Sequence, residues 1–262
     1  MSSVQSKDGT TIALDLTGAG PAVILVSGAL GDRAGSAALA GLLSPHFTVV
    51  TYDRRGRGDS GDTAPYSAGR EVEDLEAILA ETGGSANVYG SSSGGNLVLE
   101  AAARGAAVTR LAMWEPNFLI DDSRPPLPGD YVQQIGKLVS SGRRGDAVEY
   151  FMTAAVGLPA QFVTPMRSMP VWPAMEALAH TLAYDGTVVG ESMSGGELPR
   201  RRWASVTAPA LVIDGGQTPW LARGADAIAA ALPAARRRTL PGQTHDVAAD
   251  AIAPVLREFF TG

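Results

Sequence analysis

The segment Gly90-Ser91-Ser92-Ser93-Gly94 constrains this chain more than any other. An apolar stretch, Ala86-Asn87-Val88-Tyr89, runs into it, and a helical pattern from Leu97 to Arg104 runs out of it. Strand, five residues, helix: that spacing predicts a sharp turn with its central side chain exposed at the tip. The central residue, Ser92, then takes a strained backbone conformation. Side chains two positions to either side would collide with the neighbouring helix and strand, which is the mechanical reason for Gly90 and Gly94. Ser91 and Ser93 lack such symmetrical flanks, so Ser92 is the candidate nucleophile. In a chain with 31 glycines G-x-S-x-G arises readily by chance, and it is the setting that gives it weight.

The rest of the first half fits a sheet wrapped by helices. Thr11 to Leu16 alternates like a half-exposed strand, whereas Ala22-Val23-Ile24-Leu25-Val26 is a continuous apolar run suited to a strand buried on both faces. Phe47 to Tyr52 forms the next strand. Val72, Leu75 and Ile78 or Leu79 mark one helical face that stops near Gly83. Strands alternating with helices imply a mainly parallel sheet. From Pro116 to about Trp203 the rhythm changes to prolines, glycines and short helical patterns, such as Tyr131 to Val139 and Ala147 to Ala155, without a buried strand. Ala210-Leu211-Val212-Ile213-Asp214 then restores a strand. A helix from about Leu221 to Leu232, a strand near Arg238-Thr239-Leu240 and a last helix reaching Phe260 follow. The expected division is a core of residues 1–115 and 204–262 interrupted by a helical insertion, 116–203.

Composition narrows the function classes. A chain of 262 residues with 45% apolar content can bury a substantial core, and a formal charge of −6 without a basic run argues against nucleic acid as a partner. With no cysteine, thiol catalysis and cysteine-ligated metals are excluded. The first residues carry no apolar signal core and no run is long enough for a membrane span, so a cytoplasmic protein acting on a small molecule, without membrane partners, is the expectation. No H-E-x-x-H cluster or nucleotide-binding glycine motif is present, so neither a metal nor a cofactor is expected. Length and charge leave the oligomeric state open.

Four landmarks in order carry a family resemblance: Ser27-Gly28-Ala29-Leu30 after a buried strand, Asp53-Arg54-Arg55-Gly56-Arg57-Gly58-Asp59-Ser60, the turn at Ser92, and His245 after the last strand. Over nearly its whole length the chain resembles a capped α/β-hydrolase of the serine esterase and lactonase kind. The resemblance implies a nucleophile elbow at Ser92, His245 as its base, and an oxyanion hole from the backbone N–H groups of Ala29 and Ser93, with Leu30 the lesser candidate for the first of these. Ser27 stands where the family usually has histidine. Of the three histidines, His46 precedes a strand and belongs at the opposite sheet edge, and His180 falls in the insertion; both read as structural. Asp53, Arg54, Arg55 and Arg57 read as a buried ion-paired turn supporting the elbow.

The triad acid departs from the family pattern. Thr218, in Asp214-Gly215-Gly216-Gln217-Thr218-Pro219, occupies the usual aspartate position. Glu115, at the end of Leu111-Ala112-Met113-Trp114-Glu115, matches the acid position of some haloalkane dehalogenases and is the favoured substitute, although it could instead bind loop amides. Asp214 is the alternative, on a strand end from which a short side chain has difficulty reaching His245; a site without an acid is the third possibility.

The insertion carries Met152, Phe162, Met166, Met169, Trp172, Met175 and Trp203, a composition suited to a soft apolar roof, although most of these residues are expected simply to pack the insertion; the candidate pocket residues are Met152 and Trp172 from it, with Leu30 and Trp220 from the core. The leading expectation is a cofactor-independent hydrolase of a carboxylic ester, thioester or lactone of moderate hydrophobicity. A lyase or isomerase of secondary metabolism, and a non-catalytic binding member of the fold, are the competing expectations.

Overall fold

The computed structural model describes residues 2–262. Among them eight strands form one sheet in the order β1-β2-β4-β3-β5-β6-β7-β8. They are β1 (Ser2–Gln5), β2 (Thr11–Thr17), β3 (Ala22–Val26), β4 (Thr48–Tyr52), β5 (Ala86–Ser91), β6 (Val108–Trp114), β7 (Ala210–Asp214) and β8 (Ala235–Thr239). From β4 to β8 every pairing is parallel, while β2 is antiparallel to both β1 and β4.

The period-two pleat of these strands sorts their side chains onto two apolar layers. Ile24, Val26, Val50, Val88, Leu111, Met113 and Val212 face one layer; Val23, Leu25, Val49, Tyr89, Ala112, Trp114, Leu211 and Ile213 face the other. The first layer is closed by α2 (Ala68–Glu81) and α3 (Ser93–Ala103), with α10 (Pro219–Ala231). The second is closed by α1 (Ala37–Leu43) and α11 (Ala249–Thr261). Ile24, Val50, Val88, Leu111 and Val212 are fully excluded from water, each contributing roughly 1.5–3 kcal/mol of hydrophobic stabilisation.

Between β6 and β7 the chain forms α4 (Tyr131–Ser140), α5 (Arg144–Tyr150), α6 (Ala160–Val163), α7 (Trp172–Ala177), α8 (Leu182–Val189) and α9 (Arg200–Trp203). Leu119, Tyr131, Ile135, Val148, Trp172 and Leu182 give this segment an apolar cluster of its own.

Several local features differ from the sequence expectations. The short edge strand β1 was not foreseen, because four residues of mixed polarity carry no periodic signal. The pattern from Ala147 to Ala155 splits: α5 gives way to a π-helical turn over Phe151–Val156, which ends at Gly157 with φ +87°. Strand β8 lies earlier than Arg238–Leu240 and carries Arg236, Arg237 and Arg238 along a polar sheet edge. Trp203, grouped by composition with the roof residues, is buried in the sheet core with its ring edge-on to Phe118 at 5.2 Å.

Candidate active site

The turn after β5 is built by close backbone approach. Ser92 has φ +54° and ψ −126°, a conformation costing a non-glycine residue of order 1–3 kcal/mol. Its N–H donates to Trp114 O at 2.9 Å, tying the turn to the end of β6. A Cβ on Gly90 would strike the Gly94 carbonyl, and one on Gly94 would lie 2.5 Å from Val26 O. Gly28 is similarly constrained: a Cβ there would lie 2.9 Å from the Ser92 Cβ, so this glycine does more than make a tight turn.

Glu115 and His245 are brought together. Glu115 is buried and follows β6 with φ +40°. One carboxylate oxygen, Oε2, lies 2.7 Å from His245 Nδ1; the other, Oε1, accepts the Gly215 N–H at 3.0 Å. The loop amide and the histidine are therefore both partners of the same carboxylate. The histidine loop is fixed from below, where Trp114 Nε1–H donates to His245 O at 2.8 Å. Gly215 makes room for this loop, since a Cβ would overlap Gln243 O. The His245 ring itself is 41% exposed. A carboxylate against Nδ1 favours the tautomer that carries its proton there, which leaves Nε2 free to accept.

Asp214 is equally buried but committed elsewhere. Its Oδ2 is 2.9 Å from Arg237 Nη2 and accepts the Thr239 hydroxyl at 3.2 Å, while Oδ1 accepts the Gly216 N–H at 2.9 Å. None of its hydrogen bonds goes to His245.

The Ser92 hydroxyl does not bond His245 in this arrangement; it donates to Asn117 Oδ1 at 3.1 Å. Asn117 is held in turn by Asn96, which accepts its backbone N–H at 2.8 Å and donates to its carbonyl at 3.0 Å, and by the Ser192 hydroxyl. Sequence reasoning missed Asn117, and only its position just after Glu115-Pro116 could have drawn attention to it.

In the loop after β3, which carries the candidate oxyanion donor Ala29, Leu30 takes φ +57°. The carbonyls of Gly28 and Gly31 accept from Arg57 Nη1 at 2.5 and 3.0 Å. Among the described residues no acceptor takes the backbone N–H of Ala29 or Ser93. Arg54, Arg55 and Arg57 are buried with Glu71, Asp74 and Asp185. Burial works against a charge on Glu71, but Arg54 outweighs it and holds the carboxyl below its ordinary value.

The candidate pocket residues divide. Leu30, Met152 and Trp220 are half-buried and pack on the same apolar cluster as Ala29. Trp172 is enclosed within that cluster, 3% exposed, with its indole N–H on Glu176 at 2.9 Å. Phe162 and Met169 lie at the surface. His46 is near Arg257 on the exposed side, and His180 holds Gly56 O at 2.8 Å. Among the described residues no group of three or more His, Asp or Glu side chains is placed to hold a metal ion, and no helix is long and apolar enough to cross a membrane.

This fold and this turn define an α/β hydrolase. Residues 23–258 match the alpha/beta hydrolase family, and the chain belongs to it. An alpha/beta hydrolase from Sphaerobacter thermophilus is 55% identical over 99% of this chain and all of its own, with a TM-score of 0.92. The enol-lactonase from Burkholderia xenovorans LB400 shares 23% identity over the whole of both chains at a TM-score of 0.70, a likeness of fold. An uncharacterized hydrolase of Bacillus subtilis, YraK, is 36% identical over 96 residues, a match that spans 35% of the length of each protein.

Proposed function

We propose that this hydrolase is a serine hydrolase that cleaves a carboxylic ester, thioester or lactone of a small, moderately hydrophobic substrate through an acyl-enzyme on Ser92. The observation that carries the reading is the 2.7 Å contact between Glu115 Oε2 and His245 Nδ1, together with a serine at φ +54° whose turn is tied through Trp114 to the same histidine loop.

In the reaction, Ser92 leaves Asn117 and turns to His245. Nε2 takes the hydroxyl proton as Oγ attacks the substrate carbonyl carbon. The imidazolium that forms is stabilised by Glu115. Negative charge on the carbonyl oxygen is met by the N–H groups of Ala29 and Ser93. Collapse of the tetrahedral species breaks the bond to the leaving alcohol or thiol, which receives the proton from Nε2. Water then repeats the sequence: His245 takes its proton, the hydroxyl adds to the acyl carbon, and Ser92 leaves with the proton returned. Leu30 and Trp220 of the core share a half-buried apolar cluster with Met152 of the helical segment 116–203, which as a cap would favour an apolar acyl or alkyl portion.

A fluorophosphonate probe tests this directly. Mass spectrometry should place the adduct on Ser92, Ser92→Ala should abolish both labelling and ester turnover, and Ser91→Ala should retain labelling. An adduct on another serine, or no adduct in the folded wild-type protein, contradicts the assignment.

A further inference from the structure

Behind the oxyanion loop a buried ionic cluster joins the helical segment to the turn at Ser92. Asp185 is the only charged residue of α8, and it is 3% exposed. Its Oδ1 accepts from Arg54 Nη1 at 2.8 Å and from the Ser93 hydroxyl at 2.7 Å; its Oδ2 accepts from Arg57 Nη2 at 2.7 Å. The same guanidinium groups hold the loop carbonyls: Arg57 Nη1 binds Gly28 O and Gly31 O, and Arg54 Nη1 binds Ser27 O at 3.2 Å. Helix α8 is itself seated closely, since a Cβ on Gly186 would lie 2.6 Å from the Tyr131 ring.

Peptide geometry turns these contacts into a constraint on the two N–H groups. In a trans peptide the carbonyl of one residue and the N–H of the next lie in one plane and point oppositely. Fixing Gly28 O against Arg57 therefore fixes the direction of the Ala29 N–H. Pinning the Ser93 hydroxyl likewise restrains the first residue of α3, whose N–H is the other donor. Burial and the neighbouring Arg54 charge both push the Arg57 guanidinium below its ordinary pKa, and Asp185 is one of the carboxylates opposing that trend. Without it, two buried arginines repel each other directly behind the loop.

We infer that Asp185 is a positioning residue for the oxyanion hole, holding the Ala29 and Ser93 donors in register through Arg57 and the Ser93 hydroxyl. It touches no reacting atom. The helical segment thus supplies part of the support for transition-state stabilisation, in addition to any covering of substrate. This inference rests on the acyl-transfer reading of Ser92.

The test uses the full chain with p-nitrophenyl esters, a boronic acid that mimics the tetrahedral species, and the fluorophosphonate. In Asp185→Asn, kcat should fall by about 10²-fold, the scale of losing an oxyanion donor, with KM little changed. Boronate affinity should fall in parallel, while the fluorophosphonate still maps to Ser92. Tyr184→Phe removes another α8 contact, the hydroxyl bond to Asp62 at 2.7 Å, and should leave kcat unchanged. Equal losses in Tyr184→Phe and Asp185→Asn would reduce Asp185 to a docking contact and overturn the inference, as would a folded Asp185→Asn protein with wild-type kcat. Should Asp185→Asn not fold, Ser93→Ala deletes one bond of the network and is expected to lower kcat by about tenfold at constant KM; wild-type kcat there overturns the inference equally. Failure of the probe to label wild-type Ser92 would instead remove the acyl-transfer reading itself.

Discussion

Glu115 and Asp214 follow neighbouring residues of adjacent parallel strands, with Trp114 paired to Ile213, and both are buried, yet they face different partners. Pleat parity explains Asp214. It shares the parity of Val212, which faces the layer closed by α10, and its partner Arg237 reaches Ala222 O on that same helix. Glu115 would share the parity of Leu111 and Met113, but at φ +40° it has left the pleat. Its carboxylate meets the loop that precedes α11, where Trp114 holds the His245 carbonyl. One backbone dihedral past a strand end thus separates a carboxylate that can orient a base from one that braces an edge strand.

That contrast can be broken in several ways, beginning with the largest effect. If Ser92, His245 and Glu115 act as a unit, His245→Ala should lose about 10⁶ in kcat, as Ser92→Ala does, and adding Glu115→Gln to His245→Ala should cost nothing more. A further steep loss in that double variant would mean that Glu115 acts by a route other than His245.

Asp214→Asn should show the reverse pattern, a stability defect without a catalytic one. Its partner Arg237 is 27% exposed and can be hydrated, so the expected cost is about 1–3 kcal/mol in urea denaturation. A larger loss in turnover than in stability would transfer the orienting role to Asp214.

A smaller effect sharpens the contrast between the site carboxylates and those of the ionic cluster. Burial raises the pKa of Glu71 and Asp185, but Arg54 and Arg57 outweigh it and leave both below the ordinary range. As pH falls the unfolded chain therefore binds protons first. The stability these groups contribute is complete above about pH 5 and is lost as pH falls through their folded values. Glu71→Gln should lower Tm at neutral pH, and the gap to wild type, followed by circular dichroism, should narrow below about pH 4. A gap that widens in acid would contradict the direction of the shift.

Much of this arrangement was legible in the sequence for identifiable reasons. The strand, turn and helix around Ser92 were readable because apolar periodicity and two glycines coincide. Glu115 was readable as a partner for His245 from the family resemblance, which puts an acid at this strand end in some members, once Thr218 left the usual position without a carboxylate. What remained hidden depends on three-dimensional packing. Asn117 reaches Ser92 through a loop conformation held by Asn96 and Ser192, which no local spacing encodes. Asp185 carried one signal, as the lone charge in Leu182–Val189, but nothing in the sequence pairs it with Arg54 and Arg57. Trp172 and Trp203 could not be told from pocket residues by composition, because an aromatic that fills a core and one that lines a cavity look alike in sequence.

The most direct test of the account is the pre-steady-state acylation of Ser92 by a p-nitrophenyl ester, compared between Glu115→Gln and Asp214→Asn. Glutamine keeps the volume of Glu115 but cannot stabilise the imidazolium, so the burst rate should fall by about 10³–10⁴ in a folded Glu115→Gln protein. In Asp214→Asn it should stay within about threefold of wild type. An unchanged burst rate in Glu115→Gln, with collapse in Asp214→Asn, would contradict the account.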